Sequence, residues 1–171
     1  MKVNFLSLFV NSACEVLSLE MHEKVERRNM VLESGSHITE DVTVVISLIG
    51  SVNGTVFFSM SNEAAIQLAS VIMGEKFEVL DKLAQSGIAE LGNVIAGRAC
   101  MKFAESGYEA DISTPSLVLG KGVAISTLEY PRFVVPLDTP MGAITIHLAL
   151  HDSMHMDARV SSTLMSKAFE M

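Results

Sequence analysis

The stretch SGIAELGNVIAGRAC, Ser86 to Cys100, sets one carboxylate, Glu90, and one amide, Asn93, into a run of otherwise small and apolar residues. An amide both donates and accepts hydrogen bonds and a carboxylate accepts them, so both side chains bring polar capacity into a run that otherwise reads as buried helix. At about 100° per residue, Ser86, Glu90, Asn93 and Gly97 fall within an arc of roughly 60° on one side of a helix. Ala84, Ile88, Leu91, Ile95 and Ala99 gather on the opposite side and read as core contact. A solvated helix face usually carries Lys, Glu or Arg; a hydroxyl, an acid, an amide and a glycine make a face suited to close approach. Glycine inside a helix costs about 1 kcal/mol relative to alanine, so Gly92 and Gly97 ask for an offsetting reason. Tight packing by another helix of the chain is one such reason, and room for a partner is another. Spacing alone leaves Glu90 and Asn93 readable as ordinary solvated surface.

The elements that must position this face follow from periodicity and caps. Asp81 to Ser106 is helical in pattern and stops at Gly107, which makes it the longest element. Ahead of it, SNEAAIQLASVIMG is a helix capped by Ser61, with Glu63 in its first turn and Gly74 as the left-handed closing residue. The N-terminal VNFLSLFVNSACEVLSL resembles a signal peptide in its apolar content. Asn4, Asn11, Glu15 and Ser18 break it at helical spacing, so it is an amphipathic helix of the fold.

VERRNMVLES and DVTVVISLIG alternate and are rich in β-branched residues, and the second meets TVFFSM across a Ser51-to-Gly54 turn as a hairpin. YEADIS is a strand candidate and Thr114-Pro115 a break. GVAISTLEYPRFVVPLDTPMGAITIHLALH supplies two or three further strands, with turns near Pro131 and at Asp138 to Pro140. ISLIGSVNGTVFF and FVVPLDTPMGAITIH share a pattern of apolar strand, turn and Gly-led second strand, the mark of a weak internal two-fold. The fold class is α/β (α+β): one domain over residues 1–152, a β-sheet layer against two central helices, followed by a tail or short helix over 153–171. Leu164, Met165, Ala168 and Phe169 are the apolar residues of that tail.

Composition narrows the function classes. The 171 residues are 49% hydrophobic and 19% charged, which suits one globular domain with a large core. The net charge is −8, and no basic run exceeds Arg27-Arg28, so the electrostatic footprint of a nucleic-acid binder is missing. No uninterrupted apolar stretch approaches the roughly 18 residues of a membrane span. Cys14 and Cys100 stand far apart among apolar neighbours and read as buried reduced thiols. A soluble, cytoplasmic protein is expected, with neither nucleic acid nor membrane insertion.

Other chemistry is weaker. His147, His151 and His155 recur every four residues beside Asp152 and Asp157, yet the ligand set stays incomplete, and solvated histidines near a strand end are preferred over a metal site. No metal site is assigned. The eleven methionines are scattered and read as core filling. Phosphate loops, nucleophile elbows and His-Glu-x-x-His are absent.

With Ser86, Glu90 and Asn93 at spacings of four and three, and Pro115 some twenty residues beyond, the chain resembles the CheC/CheX/FliY family of chemotaxis phosphatases. The likeness is closest to its CheX branch. FVNSACEVLSLEM resembles the family's opening helix, and the order of strands and paired helices fits over roughly residues 1–150. The family carries one or two copies of the signature, and one is found here. The resemblance implies hydrolysis of the aspartyl phosphate on a phosphorylated CheY-like receiver domain. Asn93 would orient the attacking water and Glu90 would engage the receiver's lysine, with Ser86 and Gly97 on the partner-binding face. The chain would need no cofactor of its own, Mg2+ being supplied by the receiver. The resemblance further implies a homodimer joined through its sheets. The other reading is a receiver-binding or flagellar-switch-like scaffold module without catalysis.

Overall fold

The computed structural model of the chain describes residues 4–127 and 130–153. In chain order these form α1 (Phe5–Met21), β1 (Glu26–Arg27), β2 (Val31–Glu33), β3 (His37–Ile38), β4 (Val42–Gly50) and β5 (Val52–Met60). They continue as α2 (Asn62–Met73), α3 (Lys82–Glu105), β6 (Ala110–Ile112), β7 (Ser116–Leu119), β8 (Ala124–Ile125), β9 (Arg132–Thr139) and β10 (Gly142–Asp152). The expected tail helix around Leu164 to Phe169 lies outside the described residues.

The main sheet is antiparallel throughout, in the order β1-β9-β10-β5-β4-β6, with β2 also on β9 and β7 also on β4. The two long hairpins, β4-β5 and β9-β10, meet side by side along the β5-β10 seam. Each outer hairpin strand is bordered by an edge strand in two pieces, β1 and β2 on one side and β6 and β7 on the other. That arrangement is the two-fold expected from the paired sequence patterns. The β4-β5 turn differs from the expected Ser51-to-Gly54 loop, because only Ser51 separates the strands. Gly50 pairs with Ala110, while Val52 and Asn53 pair with Asp152 and His151, so neighbouring strands draw the turn residues into the sheet.

Strand alternation gives the sheet one fully apolar face. Val44, Ile46 and Leu48 of β4, Val56, Phe58 and Met60 of β5, and Ile144, Ile146 and Leu148 of β10 are buried there in one core with the helices. The helical layer holds three helices, since α1 joins α2 and α3 and packs along α3. Phe5 meets the rings of Phe103 and Tyr108 edge-on at centroid separations of 5.5 and 4.8 Å, tying the start of α1 to the end of α3.

The opposite face of the sheet corrects the reading of the histidines. His147 points away from the helices and is 4% exposed, because β3 and β8 pair with each other and lay His37 over it. The two imidazoles lie 4.0 Å apart, and His37 Nε2 is 3.1 Å from the Ser59 hydroxyl. Burial first, then the neighbouring His37 and Arg132, pushes His147 down to about 3, so this ring is neutral interior and not a solvated strand end. His151 is half-buried, with its ring stacked on Tyr130 at 4.4 Å. His155 falls outside the described residues. Among those residues, no group of three or more His, Cys, Asp or Glu is placed to hold a metal ion.

Candidate functional site

Helix α3 begins where the sequence says it must. The Asp81 carboxylate accepts from the Ala84 backbone N–H at 2.9 Å, satisfying one of the free donors of the first turn. The helix runs through Glu105, and Gly107 follows at φ +84°, where a side chain would be strained. In between, Ala84, Ile88, Leu91, Ile95, Ala96, Ala99 and Phe103 are buried. Gly92 is buried among them for a specific reason: a Cβ there would stand 3.0 Å from Val44 Cγ1 and 3.3 Å from Ile46 Cδ1. The helix therefore lies close on the sheet, and Gly92 serves that approach and not the approach of another helix.

The other side is open. Ser86 and Glu90 are exposed, Asn93 and Gly97 half-exposed, and a Cβ at Gly97 would meet nothing within 4 Å. All four predicted site residues share one face of one helix. The Ser86 hydroxyl donates back to the Lys82 carbonyl at 2.9 Å, so it is engaged within the helix. The Glu90 carboxylate and the Asn93 amide have no hydrogen bond or ion pair with another described side chain. Both keep their full polar capacity with respect to the described residues. Pro115 lies in the break between β6 and β7, two strands against which α3 packs.

Two further features escaped the sequence reading. Leu83, Val94 and Met101 are 47%, 45% and 60% exposed and form an apolar shoulder beside Glu90. Their helical angles, within about 80° of Ser86, were available from the sequence as a signal. On another side of α3, Arg98 Nε and Lys102 Nζ hold the two oxygens of Glu15 on α1 at 2.9 and 2.6 Å. These bonds, Lys102 foremost, keep the Glu15 carboxyl below its usual range. The pair of cations four residues apart was the legible half of this clasp; its acid lies over eighty residues away. Cys100 lines the end of the helix half-buried, less enclosed than the sequence reading of a buried thiol, and burial pushes its thiol up to about 11.

The molecule is thus an α+β domain in which an acid and an amide that engage no other described side chain stand on the open face of the central helix. The particular family is the chemotaxis phosphatase CheX: its profile matches residues 42–138, more than half of the sequence, and the chain belongs to that family. A curated relative, the CheY-P phosphatase CheX of Thermotoga maritima, is 36% identical over 91 residues. The match covers 53% of this chain and 59% of that protein, so the chain spans about three-fifths of the relative's length.

Among solved structures, a CheC-like superfamily protein from Shewanella sp. PV-4 superposes with a TM-score of 0.78 at 24% identity, covering 88% of this chain and 99% of that one. A chain of the CheX-CheY-BeF3-Mg2+ complex from Borrelia burgdorferi gives a TM-score of 0.75 at 26% identity over 88% of this chain and 100% of that one. The fold is thus the CheC-like one expected from the sequence. Among the described residues, no helix is long and apolar enough to cross a membrane.

Proposed function

We propose that this protein is a cytoplasmic phosphatase that hydrolyses the aspartyl phosphate of a phosphorylated CheY-like receiver domain. The observation that carries the reading is the pair of unengaged side chains, Glu90 and Asn93, on an open helix face in a chain of the CheX family. The Asn93 amide accepts one proton of a water and donates to its oxygen, holding it in line with the phosphorus. The water oxygen bonds to phosphorus as the bond to the aspartyl oxygen breaks, releasing phosphate and restoring the receiver's carboxylate. Phosphoryl transfer of this kind is accelerated mainly by positioning and charge stabilisation, so a neutral amide suffices where no general base is present.

Glu90, one turn away, engages the receiver's active-site lysine and fixes the docking. The exposed shoulder of Leu83, Val94 and Met101 gives that docking an apolar border. The metal is the receiver's own, in keeping with the Borrelia complex, where CheX and CheY occur together with Mg2+ and beryllofluoride, a phosphoryl mimic. A homodimer joined through the sheets belongs to the same proposal; light scattering should give the mass of two chains, and a monomer at working concentration would remove it.

The test is the decay of phosphorylated receiver with and without the protein. Wild type should accelerate decay, and Asn93→Ala should lose about a hundredfold or more of that acceleration with an unchanged unfolding midpoint. Glu90→Ala should act chiefly through weaker docking, seen as a raised KM. If the wild type binds receiver without hastening decay, the scaffold reading replaces this one.

A further inference from the structure

Beside the C-terminal half of α3 lies a cleft of about 410 Å³ that the Glu90-Asn93 site does not use, lined by Ile49, Gly50, Ser51, Cys100, Ala104 and Ala110, with Glu109 and Asp111 also on its walls. Its walls mix an exposed apolar side chain, Ile49, with two exposed acids that form no ion pair among the described residues. The described chain ends on its rim. Ser153 N donates to the Ser51 carbonyl at 2.9 Å, and the Ser153 hydroxyl donates to the Gly50 carbonyl at 2.7 Å. Ser51 N in turn donates to the Glu109 carbonyl at 2.7 Å. Residues 154–171 therefore start next to the cleft, and an extended chain of that length reaches about 60 Å.

We infer that the cleft is the seat of this chain's own C-terminal segment, residues 154–171. The segment has the chemistry the cleft asks for. Leu164, Met165, Ala168 and Phe169 stand at i, i+1, i+4 and i+5, the spacing of one helical face. Arg159 and Lys167 supply cations for Glu109 and Asp111, and Arg159 is within about 20 Å of the Ser153 anchor. The cleft and the open face occupy successive turns of one helix, Ala104 lying one further heptad along from Gly97. A seated segment thus limits how far along α3 a docked partner extends. The inference stands whether or not the phosphatase reading does.

The test is the alkylation rate of Cys100 by iodoacetamide in the full-length protein, with Cys14 as internal control, together with amide exchange at Ile49, Ala104 and Asp111. The double variant Leu164→Ser/Phe169→Ser should raise the Cys100 rate by at least about threefold and speed exchange at those amides, leaving Cys14 unchanged. Arg159→Glu should act in the same direction, and adding Asp111→Arg should restore protection. Equal Cys100 rates and exchange in wild type and both variants would overturn the inference. So would protection in the wild type that disappears on dilution, which would place the segment of a second copy in the cleft.

Discussion

Gly92 and Gly97 sit five residues apart on one helix, bear the same side chain and are there for opposite reasons. At Gly92 the sheet comes so near that a Cβ would press on Val44 at 3.0 Å; at Gly97 a Cβ would find no atom within 4 Å. The side of α3 that holds Gly92 is specified by volume, each residue sized to what faces it. The side that holds Gly97 is specified by vacancy, with polar groups left unengaged and room left around them. Stability belongs to the first side, and the proposed chemistry belongs to the second.

That separation predicts a graded series. The largest effect should come from Ile95→Ala, which removes a side chain 1% exposed in the centre of the buried face and should cost about 2–5 kcal/mol. Urea unfolding reads the loss, and the folded fraction should still accelerate receiver decay. Retained stability would mean that the helix is not held by this face.

Next, Gly92→Ala should cost about 1–3 kcal/mol, because Val44 and Ile46 must shift to admit the methyl. Gly97→Ala should leave stability unchanged or raise it by up to about 1 kcal/mol, since the helix gains a better former without a clash. If the two glycine variants shift the urea midpoint in the same direction, the contrast between the faces is broken. If Gly97→Ala gains stability while receiver-stimulated decay slows, the contrast is sharpened to a single methyl's width.

Much of this was legible because local rules governed it. The Ser61 cap, the start of α3 near Asp81, the Gly74 and Gly107 stops, and the division of α3 into two faces all follow from residues within a few positions of one another. The long hairpins were legible for the same reason. What stayed hidden was set by pairing across long stretches of sequence. Alternation placed His147 and His151 on one side of a strand but held no information on what covers them. The cover of His147 is His37, which lies over a hundred residues earlier and arrives through the β3-β8 pairing, while His151 stacks on Tyr130. Two residues each of β3 and β8 are too few for a periodic signal. Neither reason offered for Gly92, a packed helix or room for a partner, named the sheet, because sequence gives the need for a close approach without naming the surface approached. The polar pair itself was visible as a face, yet spacing could not distinguish it from solvated surface; the unengaged state of both groups is a property of the folded neighbourhood alone.

The clasp of Glu15 on Arg98 and Lys102 is more than a bond between two helices. At the surface, where all three side chains are partly solvated, such a pair of contacts contributes little to stability. Its geometry acts on another coordinate. Two cations one turn apart, held by a single carboxylate on α1, resist rotation of α3 about its own axis. A rotation of 20° would carry a side-chain tip about 2 Å around the helix, several times the tolerance that the water positioning proposed for Asn93 allows. On the proposed function the clasp acts as an indexing pin: it sets the angle at which α3 presents Asn93, from the side of the helix that faces α1.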